Sequence, residues 1–432
     1  MRSRADDGAT TAIQSVYGRI LNDKRISVMN LELNYVAFVV PAFFLFVGLE
    51  YLAAIRLKKV HYFTFDSSIA NISIGIAERL MNLFIVAAFY SAFYWVYDNF
   101  ALFHIPNHWT VWVILILATD LVWYWYHRLG HEINFMWGAH IVHHHSEEFN
   151  YTVSARITVF QALARNVFWC ILPLMGFHPS MVIAMLVIHG TYSFFTHTRL
   201  IGKLGWLENI LITPSHHGVH HASNEKYLNK NYGDIFIFWD KLFGTYQVEE
   251  EQPTYGLTHP IKSNSFLWQH FHYFMEMIEA MRRAEGVSAK LKIFFGKPED
   301  LDQNIRKELE AKFLPHKKEV VRPTFRFKAY LTTQIVLVLV ILFLFILFLH
   351  YFGLEEKWFV SLIILVTLVN CGALLEKRRW LFFIEYVRLL LITGLVSYEY
   401  ESPEFFVVSL IFVLVSSSSF PLQKWYFRFV YK

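Results

Sequence analysis

Residues 110–145 read TVWVILILATDLVWYWYHRLGHEINFMWGAHIVHHH. The run 110–127 is apolar and long enough for most of a membrane crossing, with Asp120 buried in it. Its end carries His127 and His131, four residues apart, so a helix sets both rings on one face. His140, His143 and His144 follow at i, i+3, i+4, and His217, His220 and His221 repeat that spacing downstream. Thirteen of the chain's 21 histidines lie between His127 and His221. The pattern predicts a helical membrane protein with a metal centre at its helix ends.

Eight clustered rings exceed what one ion takes, so a dinuclear centre is expected at His127, His131, His140, His143, His144, His217, His220 and His221. All-nitrogen ligation suits Fe, Zn, Cu or Ni, and spacing alone does not choose among them. His197, at the end of the fifth apolar segment, is expected as a further ligand; His145, His189 and His216 stay open as ligands or hydrogen-bonded bystanders. Asp120 lies seven residues before His127 and would accept a ligand imidazole's N–H, the alternative being a polar contact between helices. Glu132, beside His131, is a candidate for the same supporting role. The zinc-protease pattern His-Glu-x-x-His fails because position 135 is Phe, and Cys170 and Cys371 sit alone inside apolar runs.

Outward from this centre the chain is membrane. Of its 432 residues 55% are hydrophobic and 17% charged, against about 25% charged in soluble proteins. Nine apolar segments are read near 33–55, 72–97, 110–127, 157–175, 178–197, 328–352, 358–374, 380–398 and 404–421, so the fold class is all-α and polytopic. The start of the chain has no apolar h-region, and no cleaved signal peptide is expected. Basic residues collect in the loops that hold the histidines, which predicts a cytoplasmic site in an integral, multi-pass protein. They read as topology signals, and nucleic acid is not an expected partner. Four parts are expected: a polar segment 1–31, a catalytic membrane domain 32–284, a charged linker 285–326, and a four-helix membrane module 327–432. In that last module Glu385 and Arg388 can pair at i, i+3, and His350 is the single histidine.

The order H-x3-H, H-x2-H-H, H-x2-H-H, the last after a helical hairpin, resembles the fatty acid hydroxylase/sterol desaturase superfamily of membrane di-iron oxygenases. The flanks YWYHRLGHEINFMWGAHIVHHHSEEFNYTVSAR and TPSHHGVHHASNEKYLNKNYGDIFIFWDKLFGTYQVEEEQPTYGLTHP resemble its tetrahydrobiopterin-dependent branch that cleaves ether lipids. That resemblance implies two iron ions, ligands at the eight clustered histidines with His197 as the additional one, a reduced pterin as electron donor, and O₂ and a membrane lipid as substrates. It implies an endoplasmic-reticulum or inner-membrane location, according to the source. A homodimer contact through the last four segments stays open. Two other readings are kept: a sterol or fatty-acyl hydroxylase or desaturase with the same site, and a histidine-rich metal transporter. Transporters place ligands near the bilayer midplane on broken helices, whereas these lie at helix ends and in loops.

Overall fold

The computed structural model describes residues 32–261, 263–314 and 323–432, and the expected polar segment 1–31 lies outside them. The described chain is helical, with two isolated antiparallel bridges, Leu211–Phe236 and Ala222–Tyr255. Apart from a single helical turn at Tyr151–Ser154, the helices are α1 (Val39–Arg56), α2 (Phe65–Phe100), α3 (Trp109–Glu132), α4 (Asn134–His140), α5 (Val159–Trp169), α6 (Ile171–Met175), α7 (Pro179–Thr196), α8 (Pro214–His220), α9 (Phe238–Phe243), α10 (Phe266–Arg283), α11 (Gly286–Phe295), α12 (Gln303–Phe313), α13 (Phe325–Leu347), α14 (Leu354–Leu375), α15 (Leu381–Glu399), α16 (Pro403–Ser417) and α17 (Phe420–Tyr431).

Among the described residues seven helices are long and apolar enough to cross a membrane. Two of the nine expected segments differ. The fourth is the broken pair α5–α6, Val159–Met175, which falls short of the length a crossing needs. The ninth continues into α17 after an 85° bend. Helix α2 has 36 residues, about 54 Å at 1.5 Å each, so it extends well beyond the hydrocarbon. The hairpin between α6 and α7 turns at Gly176, whose φ is +104°; a Cβ there would meet the Phe103 carbonyl oxygen at 2.0 Å. Pro179 then opens α7, capped by the His178 side chain.

The segment expected as a charged linker is docked. Leu301, Ile305 and Leu309 are buried in the same core as Ile74 and Leu80 of α2, Ile141, Ile335 of α13 and Leu368 of α14. One apolar core therefore joins the histidine region to the C-terminal helices. A cleft of about 790 Å³, lined by Phe359, Val387, Leu390, Gly394 and Phe406, opens among α14, α15 and α16 and carries none of the histidines.

Candidate metal centre

His127 and His131 sit on the last turns of α3, and His140 ends α4. A short 3₁₀ turn, Ile141–His145, then carries His143 and His144. His197 caps the end of α7, and α8 carries His217 and His220 with His221 at its cap. Nitrogens of His127, His131, His140, His144 and His220 lie within 4.8 Å of one another. Those of His143, His197, His217 and His221 form a second such group. Each H-x2-H-H motif is thus shared: its first and last members, His140 and His144, face one group while His143 faces the other. In the second motif the assignment is reversed, with His217 and His221 together and His220 across.

The geometry fits a cation in each group. Nε2 of His127 and His140 are 3.1 Å apart, and those of His140 and His144 are 3.1 Å apart. In the other group His143–His197, His197–His217 and His217–His221 are separated by 3.2, 3.0 and 3.2 Å. Two nitrogens bound at right angles at about 2.1 Å from one ion would be about 3.0 Å apart. The tautomers support the same conclusion. His127 Nδ1 donates to the Tyr232 carbonyl at 2.8 Å, His197 Nδ1 to Ser193 at 2.7 Å, and His220 Nδ1 to Lys230 at 2.9 Å. Neutral rings that donate through Nδ1 present a bare lone pair at Nε2. Those lone pairs converge, and Nε2 of His131 and His220 are buried without a partner among the described residues. Burial holds the ring pKa values of His140, His143, His144, His217, His220 and His221 well below the ordinary range, and His197 down to about 4. The rings are therefore neutral at pH 7, the form that binds metal.

Aromatic side chains close the site to water. Phe149 is buried, with ring centroids 5.1–6.0 Å from His221, His197 and His217, and stacks on Tyr255 at 4.9 Å. Trp137 lies 4.9 Å from His131, and Tyr232 5.3 Å. The Tyr232 hydroxyl is buried with no partner among the described residues.

Asp120 is placed differently from expectation. Its carboxylate accepts from the backbone N–H of Ile235 at 2.9 Å and Phe236 at 3.1 Å, and the acceptor for His127 is the Tyr232 carbonyl. Asp120 acts on the loop that holds the ligand, because Asp120 lies two turns back on α3, where that loop crosses the helix. Asp240 grips the same loop from its other side, accepting from Tyr232 N at 2.7 Å and Gly233 N at 2.8 Å. Gly233 is required there, since a Cβ would lie 2.6 Å from the Phe236 carbonyl oxygen. Glu132 pairs with Arg128 at 2.9 Å and is partly exposed.

The three open histidines each have other partners. His189 Nδ1 donates to Asp234 at 2.6 Å, in a buried cluster with Asp120. Burial raises the Asp234 pKa, and His189 opposes that rise. His145 receives Arg156 at 3.4 Å and contacts His272 at 3.1 Å, and His272 donates to Glu276 at 2.8 Å. His216 Nδ1 lies 3.2 Å from the Leu211 carbonyl. Spacing gave no sign of Asp234, Asp240 or Tyr232, which act through contacts between residues distant in sequence or through backbone atoms. His272 and Glu276 lie at i, i+4 on α10, a local signal that could have found them.

An interleaved set of nine imidazoles, three at the ends of membrane-length helices and six on the short elements beside them, is the site of a membrane oxygenase of the fatty acid hydroxylase class, and the fatty acid hydroxylase family model matches residues 112–245. Human alkylglycerol monooxygenase is 32% identical over 383 residues, covering 86% of this chain and 84% of the relative. The Danio rerio protein of that name is 32% identical over 369 residues, covering 82% and 81%. Human cholesterol 25-hydroxylase is 24% identical over 140 residues, covering 30% of this chain and 48% of its own. No solved structure matches. The chain belongs to the alkylglycerol monooxygenase family.

Proposed function

We propose that this enzyme is a di-iron monooxygenase that hydroxylates the carbon next to the ether oxygen of an alkylglycerol lipid. The observation that carries the reading is the pair of interleaved groups of buried, neutral imidazoles, in a chain related over most of its length to alkylglycerol monooxygenases. His127, His131, His140, His144 and His220 would hold one ion, and His143, His197, His217 and His221 the other. The bound metal would supply O₂ activation. A reduced pterin, tetrahydrobiopterin by resemblance, would supply two electrons. With two protons, one oxygen atom enters the C–H bond and the other leaves as water. The product is a hemiacetal. Its O–H proton passes to the ether oxygen as the C–O bond breaks, giving a fatty aldehyde and a glycerol alcohol.

The chain's own residues orient and shield. The carbonyls of Tyr232, Ser193 and Lys230 fix ring tautomers. Phe149, Trp137 and Tyr232 keep bulk water from the reacting centre. Asp120 holds the Tyr232 loop, and Glu132 orients Arg128, which donates to the Tyr124 hydroxyl at 3.2 Å. The loop charges favour a cytoplasmic position for this end of the bundle. A sterol or fatty-acyl hydroxylase is the second reading, favoured by the more distant likeness to cholesterol 25-hydroxylase. The test is metal analysis of purified protein together with alkylglycerol cleavage, with and without reduced pterin. Two irons per chain and pterin-dependent aldehyde release are expected. Release of oxidised sterol with no ether cleavage would favour the second reading.

A further inference from the structure

Helix α11 has ten residues, far too few to cross a bilayer, yet it shows solvent an apolar stripe. Val287, Leu291 and Phe295, at i, i+4 and i+8, are 74%, 50% and 57% exposed. At 3.6 residues per turn, Lys290 and Lys292 fall about a hundred degrees to either side of that stripe, and both are exposed. The C-terminal end of the helix is fixed to the protein. Phe294 stacks on Phe135 at 4.8 Å and 5°, and Asn134 ties to both ends of the turn, donating from Nδ2 to the Ile293 carbonyl at 2.7 Å and from its backbone N–H to Gly296 at 2.8 Å. Phe135 and Asn134 belong to α4, the helix that ends in His140.

Neighbouring helices also expose apolar side chains. Leu267, Phe271 and Ile278 of α10 are exposed, and Phe271 and Phe274 pack against Phe160 of α5 at 5.8 and 4.8 Å. Helix α5 in turn exposes Leu163 and Val167. Scattered exposed apolar residues are ordinary, but an aligned stripe flanked by lysines is the composition of a helix lying in a membrane interface.

We propose that α11 is an interfacial helix. Val287, Leu291 and Phe295 enter the acyl boundary of the leaflet at the histidine end of the bundle, and the Lys290 and Lys292 stems reach up to anionic phospholipid headgroups. Through Phe135 and Asn134 the helix sets the depth of α4, and so of His140, against the lipid surface. This inference is independent of which lipid is oxidised.

The test is spin labelling of the full chain, one copy per nanodisc, at Leu291→Cys in a Cys170→Ser background, with Glu308→Cys as the water-facing reference. Accessibility to dissolved O₂ relative to a water-soluble nickel chelate should be several-fold higher at position 291 than at 308. It should rise further when phosphatidylserine replaces part of the phosphatidylcholine, and that rise should vanish with Lys290→Gln and Lys292→Gln. Val287→Cys gives the same reading should the first label disturb folding. Nickel accessibility at 291 and 287 equal to that at 308 would overturn the proposal, as would an O₂-accessible label indifferent to headgroup charge. A single copy per disc removes self-association as a source of shielding.

Discussion

Two regions of this bundle bury polar side chains among apolar helices. In the histidine region, nine imidazoles point nitrogen toward nitrogen, and their Nδ1 protons are taken by backbone carbonyls where those are identified. In the C-terminal helices one carboxylate gathers the polar groups instead. Glu385 Oε1 accepts from Tyr330, Asn370 and Tyr426, each at 2.8 Å. Its other oxygen pairs with Arg388, which also donates to Gln334. These residues lie on α13, α14, α15 and α17. There the donors share one acceptor, and Asn370 Oδ1 is left without a partner among the described residues. Among the histidines, Nε2 of His131 and of His220 meets no donor among the described residues. A buried polar group without a partner is costly in hydrocarbon, so the first arrangement asks for an ion and the second serves as an internal brace.

The sharpest way to break this comparison is to remove one lone pair. His220→Ala should empty or weaken the five-histidine group, and His217→Ala the four-histidine group. Each is expected to cut metal content from about two ions toward one per chain and turnover to background. Metal analysis and X-ray absorption on each variant measure this. Full metal loading in both would sink the assignment of ligands to groups.

The converse change targets the shared acceptor. Glu385→Ala leaves the Arg388 guanidinium, Tyr330, Asn370 and Tyr426 without their common acceptor. Breaking such a pair costs about 3–5 kcal/mol when fully buried, and the partial exposure of both side chains places this one at the low end. A lower melting temperature with unchanged iron per folded chain is expected. Iron loss in protein that is still folded would show that the two regions are not distinct.

Asp120 belongs to the histidine region but works at one remove, and a smaller effect is expected. In Asp120→Asn one amide N–H₂ would face a backbone N–H of Ile235 or Phe236. The loop would shift, and the Tyr232 carbonyl would lose its register with His127. Metal affinity or turnover should fall about 10–100-fold, the range seen when an outer partner of a ligand is lost. Metal titration in parallel with activity checks it. Unchanged values for both would return Asp120 to helix packing alone.

How much of this was legible depends on the range of the contact. The i, i+3 and i+4 spacings of His127, His131, His140, His143, His144, His217, His220 and His221 are local, and so is the apolar run that placed His197 at a helix end. The structure gathers all nine. The sharing of each motif between two groups was not legible, because it depends on the 3₁₀ turn Ile141–His145 and on how α8 meets that turn and α3. The partners of Asp120 and His127 are backbone atoms more than a hundred residues away, and a sequence carries no mark for a carbonyl. Composition gave the membrane, yet the length of the fourth apolar stretch hid the break at Cys170 that leaves α5 and α6 short. Charge alone suggested a solvated linker after Glu285. The buried Ile305 and Leu309 show that apolar spacing within a charged helix was the better guide.

The smallest expected effect is none. His350 lies on a short 3₁₀ turn after α13, is exposed, and belongs to neither metal-binding group. Helix α13 has 23 residues, about 35 Å at 1.5 Å each, enough to carry the chain from one face of the bilayer to the other. The turn also meets the start of the described chain, where the Tyr351 hydroxyl accepts from the Glu32 backbone N–H at 3.1 Å. Both facts place His350 away from the histidine end of the bundle. His350→Ala should therefore bind the same iron as the parent protein, with activity unchanged within error. Loss of iron in that variant would mean that the chain folds back on itself between α13 and α14, and that the C-terminal helices contribute a ligand. It would remove the distinction between a region that needs an ion and a region that braces itself.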